Sequence, residues 1–173
     1  RKKATGHYEK TAIRKRPGTI GICASIMHRY GVDAVPHLIC GGFTKEDTEN
    51  ALIDLNFLKI NNVLALRGDA RKFEGKFVAE EGGHYYAIDL VKQVDDMNKG
   101  IYLDGEIENG ERTDFCIGIA GYPEKHFEAP NMDFDLEWTK KKVEAGANYI
   151  VTQMFFDNQN YFRYVEQCRA EGI

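Results

Sequence analysis

No apolar run in this sequence approaches the ~20 residues that a bilayer span requires, so no membrane-spanning segment is expected. A basic surplus is also missing: 23 Lys and Arg stand against 27 Asp and Glu, for a formal net charge of −4. Nucleic-acid binding driven by counterion release is therefore not expected. The four cysteines, Cys23, Cys40, Cys116 and Cys168, form no C-x-x-C pair, which leaves a zinc centre or a thioredoxin-like motif without support. Neither G-x-G-x-x-G after a strand nor G-x-x-x-x-G-K-[ST] occurs, so a dinucleotide fingerprint and a P-loop are both absent. No signal peptide is visible. The chain begins with Arg1, and its natural start is expected upstream.

What remains is an ordinary folding composition. The 173 residues are 43% hydrophobic and 12% aromatic, which suits one domain, or a piece of one, and argues against disorder. Cys40 and Cys116 lie in apolar runs, where a free thiol behaves as a small hydrophobe. A reduced, cytoplasmic enzyme is the plain reading. The basic cluster Lys2, Lys3, Arg14, Lys15 and Arg16 reads as a solvated loop within residues 1–18, being short and without a stacking pattern.

Periodicity divides the chain into alternating elements. Thr19 is expected to cap a helix through about Tyr30, with Ile22, Ile26 and Tyr30 on its apolar face and Gly31 at its end. The run Ala34 to Cys40 reads as a buried strand. Thr44 starts a second helix, with Glu46 and Asp47 in its first turn and Leu52 and Leu55 facing inward. Asn62 to Leu66 is a second buried strand, ending abruptly in Arg67-Gly68-Asp69. After a polar stretch at 71–83, a helix is expected from Tyr85 to about Asn98. Residues 100–113 read as an insertion with turn signals at Asp104-Gly105 and Asn109-Gly110. Phe115 to Ala120 is a third strand, Asp135 to Glu144 a helix, Tyr149 to Thr152 a fourth strand, and Asp157 caps a last helix containing Tyr164 and Cys168. Phe155 and Phe156 read as core. Lys140, Lys141 and Lys142 taken alone read as a solvated helix face.

Strands that are continuous apolar runs alternating with helices indicate a parallel sheet covered by helices. An open doubly wound sheet and a (β/α)8 barrel both fit. Each strand hands over to polar residues, and a barrel gathers such ends around one mouth. A complete barrel takes ~250 residues. The four strands read here therefore correspond to about the central half of one, with residues 1–173 forming a partial TIM-barrel domain. The other strands are expected upstream and downstream.

Five motifs carry a resemblance. Pro36-His37-Leu38-Ile39-Cys40, Leu66-Arg67-Gly68-Asp69, Tyr122-Pro123-Glu124-Lys125-His126, Lys142-Val143-Glu144-Ala145-Gly146-Ala147 and Thr152-Gln153-Met154-Phe155-Phe156-Asp157, in this order, closely resemble the methylenetetrahydrofolate reductases. The resemblance covers nearly all of residues 17–173. It implies a (β/α)8 barrel with FAD at the C-terminal mouth. The implied reaction reduces 5,10-methylenetetrahydrofolate to 5-methyltetrahydrofolate, with NADH or NADPH as reductant and the flavin as hydride carrier.

The resemblance also implies residue roles. Asp69 matches an aspartate beside the flavin ring that acts in catalysis, and it touches the folate as well. His37, Arg67 and Gly68 match flavin contacts. Tyr86 and Ala87 match a cofactor contact at a helix start, where backbone N–H groups suit a diphosphate. Tyr122, His126 and Ala129 match positions along the ribityl, phosphate or adenine portion, and Asp135 and Lys142 match positions near the adenosine end. Gln153 matches a glutamine on the folate pterin, for which a side-chain amide offers donor and acceptor together. No metal is implied. A homo-oligomer is the family expectation.

The sequence also departs from the family pattern. The family's general acid lies in a Phe/Glu/Pro-rich first strand that this sequence lacks, and neither Glu9 nor Glu124 takes its place. Trp138 and Lys141 stand where many relatives carry other polar residues. On this reading the 173 residues alone are expected to be inactive. The alternatives are another flavin- or deazaflavin-dependent barrel reductase without folate affinity, and a non-catalytic barrel fragment serving as an assembly module.

Overall fold

The computed structural model describes residues 17–70, 76–105 and 110–173. The basic cluster at 2–16, positions 71–75 of the polar stretch and the Asn109 turn signal lie outside the described residues. Five helices alternate with four strands: α1 (Thr19–Tyr30), β1 (His37–Ile39), α2 (Lys45–Phe57), β2 (Asn62–Leu66), α3 (Ala87–Asn98), β3 (Cys116–Gly121), α4 (Met132–Glu144), β4 (Tyr149–Thr152) and α5 (Asn158–Ala170).

Every strand pair is parallel, and the order across the sheet is β1-β2-β3-β4. A doubly wound sheet reverses its order at a switch point and carries helices on both faces. Neither feature is present among the described residues. Leu38, Cys40, Val63, Ala65, Ile117 and Ile119 share one strand parity. They form a single core with Cys23 of α1, Leu52 and Leu55 of α2, and Leu90, Val91, Val94 and Met97 of α3. The opposite face of the sheet leaves His37, Ile39 and Val151 exposed. Sequential parallel strands with helices on one face are an arc of a (β/α)8 barrel. Among the described residues, no helix is long and apolar enough to cross a membrane.

The helix ends follow local chemistry. Thr44 closes a capping box: its hydroxyl accepts the Asp47 N–H at 3.0 Å, and the Asp47 carboxylate accepts the Thr44 N–H at 3.0 Å. Gly31 ends α1 at φ +61°, a left-handed backbone that glycine adopts without strain. Asp157 caps α5 through the Gln159 N–H.

Several expectations are corrected. Gly18, not Thr19, is the N-cap of α1, and Thr19 is already helical. Ile22, Ile26 and Tyr30 are exposed, whereas Cys23 faces the core beside Ile20, Ala24 and Met27. This helix is apolar on two sides, so its period alone could not choose the buried one. Helix α4 starts at Met132, three residues earlier than expected, because Asn131 accepts the Phe134 N–H at 2.8 Å. Phe156 is 91% exposed and is not core, and Phe155 stacks on Tyr161. The buried strand read over Ala34 to Cys40 is only His37–Ile39, and it buries Leu38 alone, because helices cover one of its faces and not the other.

One contact holds the inner face. The Tyr149 ring crosses β3 so closely that a Cβ on Gly118 would lie 2.3 Å from it, and its hydroxyl donates to the Val63 carbonyl at 3.1 Å. The sequence therefore needs glycine at 118 to let a β4 side chain reach β2. Gly118→Ala is expected to destabilise the fold by about 1–3 kcal/mol. The loss should shrink when Tyr149→Ala is added. Urea unfolding of the single and double variants measures both quantities.

Candidate functional site

Because the strands are parallel and sequential, all four deliver their C-terminal ends to one edge of the sheet. The chain leaves β2 through Gly68 at φ +84°, where a Cβ would lie 3.3 Å from the Ile39 side chain. Glycine is thus demanded twice there, by the backbone sign and by the neighbouring strand. That turn leaves Asp69 exposed at the rim and Arg67 partly buried beneath it. The Arg67 guanidinium donates through Nη1 to Glu128 Oε2 at 2.6 Å and lies 5.4 Å from the centre of the Phe77 ring.

β3 ends in a loop that its own polar groups organise. The His126 ring meets Tyr122 edge-on at 4.7 Å. Its backbone N–H donates to Asp135 Oδ2 at 2.9 Å, and its Nδ1 accepts the Glu128 N–H at 3.1 Å. A neutral His126 must then carry its proton on Nε2. Lys125, at φ +75°, donates from Nζ to the His126 and Ala129 carbonyls at 3.0 and 2.5 Å. These two bonds hold a backbone sign that a lysine rarely adopts. Ala129 itself is buried.

Charges converge on Tyr122. Burial pushes its phenol upward; Asp135, Asp69 and Glu128 add to that, and Arg67 opposes it. Burial lowers the His126 imidazole, against the pull of Asp135 and Glu128. Lys142 is not on the solvated face expected of it. Its ammonium reaches back to the Ala120 carbonyl at 3.4 Å, and burial lowers its pKa. Lys140 and Lys141 do face outward, pairing with Glu171 and Glu137.

On the far side of the rim, Tyr86 is the N-cap residue of α3, and its side chain caps none of the first N–H groups. Tyr86 stacks on Trp138 at 6.1 Å, and Lys141 lies 4.8 Å over the Trp138 ring.

The structure therefore brings Arg67, Gly68, Asp69, Tyr122, His126, Ala129, Asp135 and Lys142 to one edge. Gln153 is exposed just past β4, its Oε1 accepting the Met154 N–H at 3.0 Å. Asp69 and Gln153 follow strands separated only by β3, a spacing of roughly 10 Å. His37 is not at the rim. It pairs in register with Leu64, two residues short of the β2 end, exposed on the inner face. Glu128 and Phe77 are the partners that sequence reasoning missed. Glu128 is 61 positions from Arg67, and no local pattern links the two. Among the described residues, no group of three or more His, Cys, Asp or Glu could hold a metal.

The sequence profile of the methylenetetrahydrofolate reductase family matches residues 7–173. Methylenetetrahydrofolate reductase 2 of Saccharomyces cerevisiae is 38% identical over 145 residues, which is 83% of this chain and 22% of that protein. Methylenetetrahydrofolate reductase (NADH) 1 of Arabidopsis thaliana is 36% identical over 164 residues, covering 90% and 26%. The 5,10-methylenetetrahydrofolate reductase of Salmonella typhimurium is 34% identical over 159 residues, covering 92% and 47%. The chain thus spans less than half the length of each of these relatives.

Two imidazoles give the chain a pH signature: half-buried His126 at the rim, and buried His84 before α3, whose ring pairs with Gln93. His126 and His84 both hold fewer protons when folded than when unfolded, because burial lowers their pKa. The stability they contribute is present above the ordinary histidine value of about 6.5 and declines as pH falls through and below it. Imidazole NMR should place the His126 midpoint below 6.5, and unfolding free energy should fall from pH 7 to pH 5 with a shallower slope in His84→Gln.

Proposed function

Because the chain belongs to the methylenetetrahydrofolate reductase family, we propose that the protein containing it reduces 5,10-methylenetetrahydrofolate to 5-methyltetrahydrofolate. NADH or NADPH is the reductant, and FAD sits at the barrel mouth. Residues 1–173 supply the middle of that barrel. The observation that carries the reading is the strand-end cluster itself. A carboxylate at 69, a cation at 67 and the Tyr122–His126 loop occupy the edge where a barrel holds its ligand.

The residues fit a flavin dinucleotide. Gly68 gives the backbone a side-chain-free approach. Arg67 offers a fixed cation and further donors. The uncapped start of α3 at Tyr86 and Ala87 suits a diphosphate. Tyr122, His126, Ala129, Asp135 and Lys142 would hold its nucleotide part, and His37, exposed on the inner face, would meet its ring. When bound, the flavin supplies hydride transfer between the nicotinamide and the folate.

The chain's own residues then do electrostatic work. The Asp69 carboxylate disfavours extra negative charge on the ring beside it and favours positive charge developing on the folate. The Gln153 amide orients the pterin by donating and accepting at once. Tyr122 keeps its phenolic proton, since burial and three carboxylates all oppose ionisation. All four cysteines are free. Burial raises the Cys40 thiol to about 12, which makes it a packing group and accords with the reduced, cytosolic enzyme proposed here; a homo-oligomer is proposed from the family resemblance alone.

The test uses the intact protein under anaerobic conditions. It should carry the visible absorption of flavin, and 5-methyltetrahydrofolate should bleach it. Asp69→Asn should keep the absorption and slow the bleaching about 100-fold. Gln153→Ala should raise the half-saturating folate concentration about 10-fold while leaving reduction by NADH or NADPH intact. A flavin that no folate bleaches overturns the folate assignment, and a colourless intact protein that takes up no flavin overturns the whole reading.

A further inference from the structure

Arg67 is held from both sides before any ligand is considered. The Phe77 ring lies 5.4 Å from its guanidinium carbon, and Glu128 accepts from Nη1 at 2.6 Å. The arginine side chain is 23% exposed and the glutamate 47%. The pair joins the loop after β2 to the loop after β3. It uses one of the five guanidinium N–H donors, so among the described residues the fork's other edge carries no hydrogen bond. A bidentate pair would have consumed that edge. The hydrogen bond from Arg67 holds the Glu128 carboxyl below its ordinary range, so the pair persists at neutral pH. Glu128 acts on a second site residue as well. Its backbone N–H occupies His126 Nδ1, which leaves Nε2 as the imidazole donor.

We propose that Glu128 is the positioning residue for Arg67. Anchoring a single Nη, it orients the guanidinium so that the remaining donors face the cofactor space at the barrel mouth. The proposal rests on the reading of that mouth as a flavin site. A pair this exposed adds little to folding. Its value lies in removing the rotamer freedom of a long side chain ahead of binding.

The experiment is a flavin-fluorescence titration of the intact, flavin-stripped protein with FAD, beside thermal melts without flavin. Arg67→Ala, Glu128→Ala, Glu128→Gln and the Arg67→Ala/Glu128→Ala double variant are compared. Glu128→Ala is expected to weaken FAD binding about 10-fold. Glu128→Gln, whose amide oxygen still accepts from Nη1, should recover binding to within about 3-fold of the parent. The double variant should bind no more weakly than Arg67→Ala alone, because the two residues act as one unit. Parental affinity in Glu128→Ala alongside a weakened Arg67→Ala overturns the proposal and leaves the flavin reading standing. Additive losses in the double variant, or a loss in Glu128→Ala that tracks a lowered melting temperature and is not recovered by glutamine, also overturn it. An intact parent that binds no FAD ends both.

Discussion

Val63 and Ala65 of β2, with Ile117 and Ile119 of β3, place their side chains beneath the helices. The two-residue period of a strand then commits Asn62, Leu64, Cys116 and Gly118 to the opposite face. That parity constrains everything else in the molecule. It collects the helices on one side, the arrangement of a barrel wall. It also turns His37, Ile39 and Val151 towards the side the helices do not cover. The inner face is not left empty. Tyr149 reaches across Gly118 to the Val63 carbonyl and ties three strands together with one ring and one hydrogen bond. Sequential parallel order follows from the same constraint, because each helix returns the chain over the same face to the next strand position.

Much of this was legible in the sequence, and the reasons are local. Strand β2 was read to the residue, since Asn62 to Leu66 is a short apolar run closed by Arg67-Gly68-Asp69. Thr44 and Asp157 announced their helices because a cap acts within three residues. The misreadings arose where the information is not local. Ile22, Ile26 and Tyr30 have perfect helical spacing, yet the sheet lies on the Cys23 side. Phe156 is apolar and almost wholly exposed, next to Phe155, which finds a ring to stack on. Barrel and doubly wound sheet share the same alternation of elements. Only strand order and one-sided cover separate them, and neither is written in any window of sequence.

The site was legible in a different way. The strand-end residues were found because parallel sheets put chemistry at carboxyl ends, and their roles came from resemblance. The interactions that hold them did not show. Arg67 meets Glu128 across 61 positions, and Lys142 leaves its two lysine neighbours to reach a strand carbonyl. Lysines at 140 to 142 look alike in a sequence, but a 100° step per residue sends one of them inward.

These hidden contacts also change what Asp135, Lys142 and His126 do first. Asp135 accepts the His126 N–H, Lys125 binds two carbonyls of its own loop, and Glu128 joins the His126 imidazole and the Arg67 guanidinium. Asp135, Lys125, His126, Glu128 and Arg67 are therefore each engaged within the scaffold before any ligand is considered. A loop fixed in this way loses little further freedom on binding, which favours affinity without adding contacts. It also keeps charges of both signs within reach of Tyr122. Asp69 stands apart from that network, exposed at the end of β2. The role proposed for this carboxylate needs it uncommitted to the scaffold, and the glycine turn before it, tight against Ile39, holds it at the rim by backbone geometry alone.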